Sequence, residues 1–403
     1  MYVKYPIRKD MILVALNSKY VYIRKDVFEA LFENSHVYYK SLYRKALDDN
    51  RIKFRVLQDL SREAGIPYSL FFAPMEKVEA NIKQSNENIF KGVQDVPIAI
   101  ASRGDIQIRD VNLIIKDIQK RQQLMAQNHR EIGPNAIINL RQQEDISEFA
   151  RLIIKTLGLD MDKFRSYTTK RAAYEYLVTT LEDKNIIISR SRRGYMPQTI
   201  KNGLNFSGFA VRHKKYPAIF LHSKDEDNIS DPAGRRIFTI ILLLTYMANK
   251  RFAIVSYNQS TKEPTRNIEY IIAEEILMPE SAVSGIRLSN LDELNEIADA
   301  FKVTPSMALV RLRRLSCISN EIFEKLLETL NNKWQEASSQ KPNFKFGDKT
   351  EEATKVITYN GRLFTLEVIN LLRAGKLSPG DASRLLVFRK RSGKILDELK
   401  EKL

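Results

Sequence analysis

The sequence predicts a mainly α-helical protein, with a helical module at the N-terminus, a central α+β domain carrying a small sheet, and a helical domain at the C-terminus. Segments with apolar residues at helical spacing fill both ends of the chain. Near the middle, β-branched runs such as "IIISRS" (186–191) break that pattern and read as strands. Hydrophobic residues make up 43% and charged residues 28% of 403 positions, a globular balance in a chain long enough for two or three cores.

Taken in order, "DMILVALNSKY" (10–20) and "RKDVFEALFEN" (24–34) read as short amphipathic helices, and "VYYKSLYRKALDDN" (37–50) as a third with basic and tyrosine residues on one side. "IKFRVLQDLSREAGIPYSLFFAP" (52–74) adds a helix stopped by Gly65 and Pro67. These segments predict a compact all-helical module over residues 1–75. A helical connector follows over 76–145, its main helix placing Val111, Ile114, Ile115, Ile118 and Met125 at helical spacing. The α+β domain spans 146–334: helices at 145–159 and 169–185, the strand at 186–191, then two strands around a turn in "GFAVRHKKYPAIFLHSKD" (208–225). After these come an apolar helix over 235–249 and a further helix in "NIEYIIAEEILMPESAV" (267–283). The polar stretch 335–350 reads as a linker to a C-terminal helical domain over 351–403.

Lys and Arg number 65 against 49 Asp and Glu, a net charge of +16. An excess of this size favours polyanions through phosphate contact and counterion release, so double-stranded DNA is the expected partner. The single cysteine, Cys317, allows no intramolecular disulfide and no thiolate cluster, and inside "RLRRLSCIS" it reads as a small buried hydrophobe. No secretory signal is seen, and no apolar run approaches the roughly eighteen residues of a membrane span, so the expectation is a cytoplasmic protein with no membrane partner.

The ordered set "AGIPYSLFFAP", "NIIISRS", "GFAVRHKKYPAIFLHSKD", "PAGRRIFT" and "AEEILMP" resembles the ImmA/IrrE metallo-endopeptidases that carry an N-terminal XRE-type helix-turn-helix. The segments "LNEIADAFKVTPSMALVRLRRLSCIS" and "RLFTLEVINLLRAGKLSPGDASRLL" are similar to that family's C-terminal helices. The resemblance implies a zincin-like central domain and a helix-turn-helix at the start. In the family, the Phe-Thr of the apolar helix is followed after two residues by H-E-x-x-H, two zinc ligands and a general base. From Phe238 and Thr239, those places fall on Leu242, Leu243 and Tyr246, and the third ligand position falls on Ile268 beside Glu269. None of the four can serve as a neutral-pH ligand or base. The expectation is therefore a pseudo-metallopeptidase with no metal and no cofactor.

Other enzyme classes find no support either. There is no phosphate-binding or dinucleotide-binding glycine loop. The adjacent Glu274 and Glu275 read as a solvated face rather than an acid/base pair.

Binding is left to carry the function. Tyr38, Tyr39, Lys40, Tyr43, Arg44 and Lys45 occupy the place of the family's recognition helix and are candidates for phosphates and base edges. Arg311, Arg313 and Arg314 crowd a second helix-turn-helix-like segment, whose later helix starts with Thr304 as cap and Pro305 at its first position. Arg389, Lys390 and Arg391 form a third basic group. The function read from the sequence is that of a non-catalytic DNA-associated transcriptional regulator of a bacterium, phage or mobile element, possible also as a homo-oligomer. The alternative is a pseudo-protease interaction module that holds a repressor, antitoxin or other regulatory protein without cleaving it.

Overall fold

The computed structural model describes residues 8–17, 19–33, 35–89, 108–141, 143–192, 194–200, 207–222, 233–255, 267–339, 351–386 and 392–403. The fold is mainly helical with two small mixed sheets. Contacts divide the described residues into two compact units, one from those within 8–89, 108–120 and 196–200, the other from those within 121–195 and 207–403.

The first unit opens on a hairpin. Strand β1 (Met11–Leu16) pairs antiparallel with β2 (Lys19–Arg24), Leu16 opposite Lys19 and Met11 opposite Arg24. Asn17 enters the turn with φ of 46°, left-handed backbone that Asn tolerates better than most residues. This corrects the all-helical expectation for the N-terminal module. A short apolar run fits helix and strand equally on periodicity alone, and the Val, Ile and Tyr content around an Asn turn decides it as a hairpin.

Helix α1 (Lys25–Glu33) follows, buries Val27, Phe28, Leu31 and Phe32, and covers the Ile12, Val14 and Ile23 face of the hairpin. The predicted recognition helix is split: a 3-10 turn at His36–Tyr39 ends at Lys40, and α2 runs from Ser41 to Asp48. Strand β3 (Arg51–Lys53) then lies parallel to β1, giving the order β2-β1-β3. Helix α3 (Phe54–Ala64) ends at Gly65, whose φ of +65° is the left-handed cap the sequence suggested. Helix α4 (Met75–Ile89) closes the core through Val78.

Helix α5 (Asn112–Asn128) gives its first half to this unit and its second half to the other. The second unit continues with α6 (Ile146–Leu157), α7 (Met161–Ser166) and α8 (Lys170–Glu182), each with an Asp or Thr side chain accepting a first-turn amide: Asp145, Asp160 and Thr169. Its sheet has the order β4-β6-β5-β7, from Ile187–Arg190, Gly208–Val211 (β5), Ala218–Leu221 (β6) and Ile254–Val255. β4 and β6 are parallel, while β5 runs antiparallel to β6, so the two strands expected around a turn are present.

Helix α9 (Ala233–Ala248) packs against β5, β6 and α8, and every residue from Ile237 to Ala248 is buried. An apolar surface on all sides requires such a position. A Cβ at Gly234 would lie 2.8 Å from the Val303 carbonyl carbon, so the first turn of α9 can approach that loop only as glycine. Helix α10 (Ile268–Leu277), capped by Asn267, packs on α9 and α6. Then come α11 (Glu280–Val283), α12 (Leu291–Ala300), α13 (Pro305–Arg314) and α14 (Asn320–Ser339). Thr304 accepts from the Met307 amide with Pro305 at the first position of α13, as the sequence reading placed them. The last helices are α15 (Glu352–Asn360), α16 (Arg362–Arg373), α17 (Pro379–Leu385) and α18 (Ser392–Lys402).

Candidate functional site

Leu242, Leu243 and Tyr246 are each 0% exposed and belong to the main core of the second unit. Two fully buried leucines offer no lone pair to a cation, so this donor set does not fit the zinc that the resemblance would place here. Among the described residues, no cluster of three or more His, Cys, Asp or Glu side chains is placed to hold a metal ion.

Polar groups do gather at the C-terminal end of α9. The Asn267 amide donates to the Tyr246 hydroxyl at 3.1 Å, and Arg251 lies 5.6 Å from the Tyr246 ring centroid. Arg251 Nη1 and Asn249 Nδ2 both donate to Glu269 Oε1, at 2.6 and 3.2 Å. Glu269 is 1% exposed, and Thr245 Oγ1 donates to its backbone carbonyl at 3.2 Å. Burial, reinforced by the Glu269 charge, pushes the Tyr246 phenol above its usual range. The arrangement is a buried network that ties α9 to α10, with Glu269 Oε2 and Asn249 Oδ1 left without a hydrogen-bond partner among the described residues. Ile268, by contrast, is 37% exposed and lines a surface cleft of about 290 Å³ with Gln143, Glu144, Ile146, Phe149 and Ile272.

The nucleic-acid candidates separate sharply. Tyr43 is buried, stacked on Phe28 at 5.6 Å and edge-on to Phe32, with its phenol pushed up to about 12 by burial. Tyr38 and Tyr39 pack under the Arg109 guanidinium, at 4.4 and 5.8 Å from their centroids, and Arg109 also donates to the Glu33 carbonyl at 2.8 Å. Lys40 pairs with Glu63. Arg311 is buried, donating to the Met278 carbonyl at 3.0 Å and to the Glu275 carboxylate. Arg314 pairs with Glu274 at 2.7 Å.

These pairs correct the expectations for Arg311 and Arg314 as contact residues, and for Glu274 and Glu275 as a solvated face. The two carboxylates are 3% and 8% exposed, and each needs a guanidinium because a buried charge is stable only when paired. Arg313 is half-buried. Arg44 and Lys45 are exposed on α2 and join no described acidic residue. Arg389, Lys390 and Arg391 lie outside the described residues.

Comparison with protein-family models, with curated proteins and with solved structures gives no match.

Sequence reasoning missed the second face of the first sheet. Ile12, Val14, Ile23 and Ile52 point into the core, so their neighbours point away from it. Tyr22 and Arg51 both lie opposite Leu13, and Tyr20 and Lys53 both lie opposite Ala15. The period-2 alternation of "KYVYIR" carried this signal, and a helical reading of the segment concealed it.

Proposed function

We propose that this chain is a non-catalytic, DNA-associated regulator, and that the first unit makes the contact. The observation that carries the reading is how the candidate cations divide. Arg311 and Arg314 are committed to buried carboxylates, whereas Arg44 and Lys45 stand exposed on one short helix without a described acidic partner. A net charge of +16 supports the same partner, because cations that are not neutralised internally release counterions from a polyanion. The filling of α9 with leucine supports binding rather than hydrolysis as the work of this scaffold. Binding of the purified full chain to a mixed-sequence duplex, followed over a salt series, tests the reading. Affinity is expected to fall steeply between about 50 and 200 mM salt. A duplex not retained even at the low end would overturn it.

A second reading is favoured by one observation, the exposed Ile268 in a surface cleft of about 290 Å³ that mixes apolar side chains with Gln143 and Glu144. It makes the second unit a pseudo-protease that holds a regulatory protein without cutting it. Ile268→Asp is expected to release such a partner while leaving duplex binding intact.

A further inference from the structure

We propose that the C-terminal helices α15–α18 form a pH-sensitive latch on the second unit, closed most tightly in acid through Glu182 and the His129–Glu367 pair and loosened toward mildly alkaline pH. This goes beyond the nucleic-acid reading and does not rest on it.

The latch is built at the α15–α16 junction. β4 is an outer strand in the order β4-β6-β5-β7, and α15 and α16 pack on it. A Cβ at Gly361, whose φ is +80°, would lie 2.9 Å from both the Ile188 carbonyl oxygen and Glu182 Oε1, so only glycine allows this approach. The Tyr359 carbonyl accepts from Ser189 Oγ and, at 3.1 Å, from Arg121 Nη1. The main core of the unit contains no residue of α15–α18, which bury a set of their own that includes Val356, Tyr359, Phe364 and Val368.

Two titrating groups hold the joint. Glu182, at the end of α8, is buried and accepts from the Leu363 amide in the first turn of α16 at 3.2 Å. The charged groups facing it are Arg190 on β4 and Arg362 on α16, and Arg190 is itself paired with Glu175 at 3.3 Å. Burial outweighs them and pushes the Glu182 carboxyl up to about 7. His129, just past the end of α5, meets Glu367 of α16 at 2.8 Å, and Asn128 donates to the same carboxylate at 3.2 Å. Around that pair stand Glu131, 3.4 Å from the imidazole, and Lys215, whose ammonium donates to the His129 carbonyl at 3.1 Å. Tyr216 also faces Glu367, and burial pushes its phenol up to about 12. The hydrogen bond to Glu367 holds the His129 imidazole above its usual range.

Both groups act in one direction. In water the Glu182 carboxyl titrates near 4.5, so the closed joint holds a proton that the open one has lost, and closure weakens as pH rises from about 4.5 to 7. His129 in the closed joint keeps its proton above the ordinary 6.5, so its contribution is complete below that value and is lost above it. Opening would bare the outer edge of β4, where the Ile188 carbonyl now faces Gly361, and a bare strand edge can pair with another chain.

The test is hydrogen–deuterium exchange of the full chain at about pH 5 and about pH 8, read peptide by peptide by mass spectrometry, each rate divided by the intrinsic rate at that pH. Peptides of α15 and α16 are expected to exchange roughly ten- to a hundredfold faster at the higher pH on that scale, while those of α9 and α10 stay nearly constant. Glu182→Gln, which keeps an oxygen for the Leu363 amide, is expected to remove most of the change, and Glu182→Gln with His129→Gln nearly all of it.

The proposal is overturned if α15 and α16 exchange alike at both pH values, or if α9 and α10 change as much, which would make the effect one of the whole unit. It is also overturned if Glu182→Gln, native by circular dichroism, retains the parent's pH response. None of these outcomes bears on duplex binding.

Discussion

Arg251 and Glu269 are joined at 2.6 Å at the end of the leucine helix, and they differ in exposure: the Arg251 side chain is 32% exposed and that of Glu269 is 1%. That asymmetry makes the two partners unequal. Arg251→Ala strands a buried carboxylate and is expected to cost about 3–5 kcal/mol. Glu269→Ala leaves a guanidinium that can turn to water, and is expected to cost less. Chemical denaturation of the two single variants and of Arg251→Ala with Glu269→Gln checks this, and the double variant should recover part of the loss.

Leu243, in the middle of the leucine helix, gives a second prediction. Leu243 is 0% exposed, so Leu243→Glu places an unpaired carboxylate in a dry core and is expected to cost several kcal/mol without creating hydrolysis. Leu243→Ala is expected to cost about 2–5 kcal/mol. A Leu243→Glu protein with the parent's melting temperature would mean that this position is open to water.

Stability should also depend on pH through Glu182. Burial pushes this carboxyl up to about 7, against accepted amide hydrogens from Leu363 and Arg362. The folded chain therefore holds a proton that the unfolded chain, with a carboxyl near 4.5, has already released. Stability falls as pH rises from about 4.5 to 7, by about 3 kcal/mol at most. His129, held above its usual range by its hydrogen bond to Glu367, adds a loss in the same direction above its unfolded value of 6.5. Glu182→Gln keeps an oxygen to accept from Leu363 and is expected to flatten the lower part of the curve. Melting temperatures of parent and variant across this range measure it. An unchanged slope would place the pH dependence elsewhere.

The sequence disclosed the elements whose signals are local. Gly65 ends α3, Thr304 and Pro305 start α13, and the β-branched run 186–191 contains a strand, each set by chemistry within a few residues. Misread elements depended on distant partners. Arg311 and Glu275 are 36 positions apart, and Arg314 and Glu274 are 40 apart, so neither the buried arginines nor the buried glutamates could be told from solvated ones by helical spacing. The hairpin failed for a different reason: "MILVAL" has no polar alternation, because Leu13 is buried as well as Ile12 and Val14. With the hairpin went its outer face, and with the split at Lys40 went the view of Tyr38, Tyr39 and Tyr43 as a reading surface.

In the proposed reading the first unit contacts DNA through Arg44 and Lys45, which no described carboxylate pairs. The most direct test is the affinity of full-length Arg44→Glu with Lys45→Glu for a duplex at low salt, compared with the parent and with Arg313→Glu in the second unit. The α2 double variant is expected to lose tight binding and part of its salt dependence, with an unchanged circular dichroism spectrum, while Arg313→Glu stays close to the parent. A double variant that binds the duplex as tightly as the parent, or an Arg313→Glu protein that loses binding instead, would contradict it.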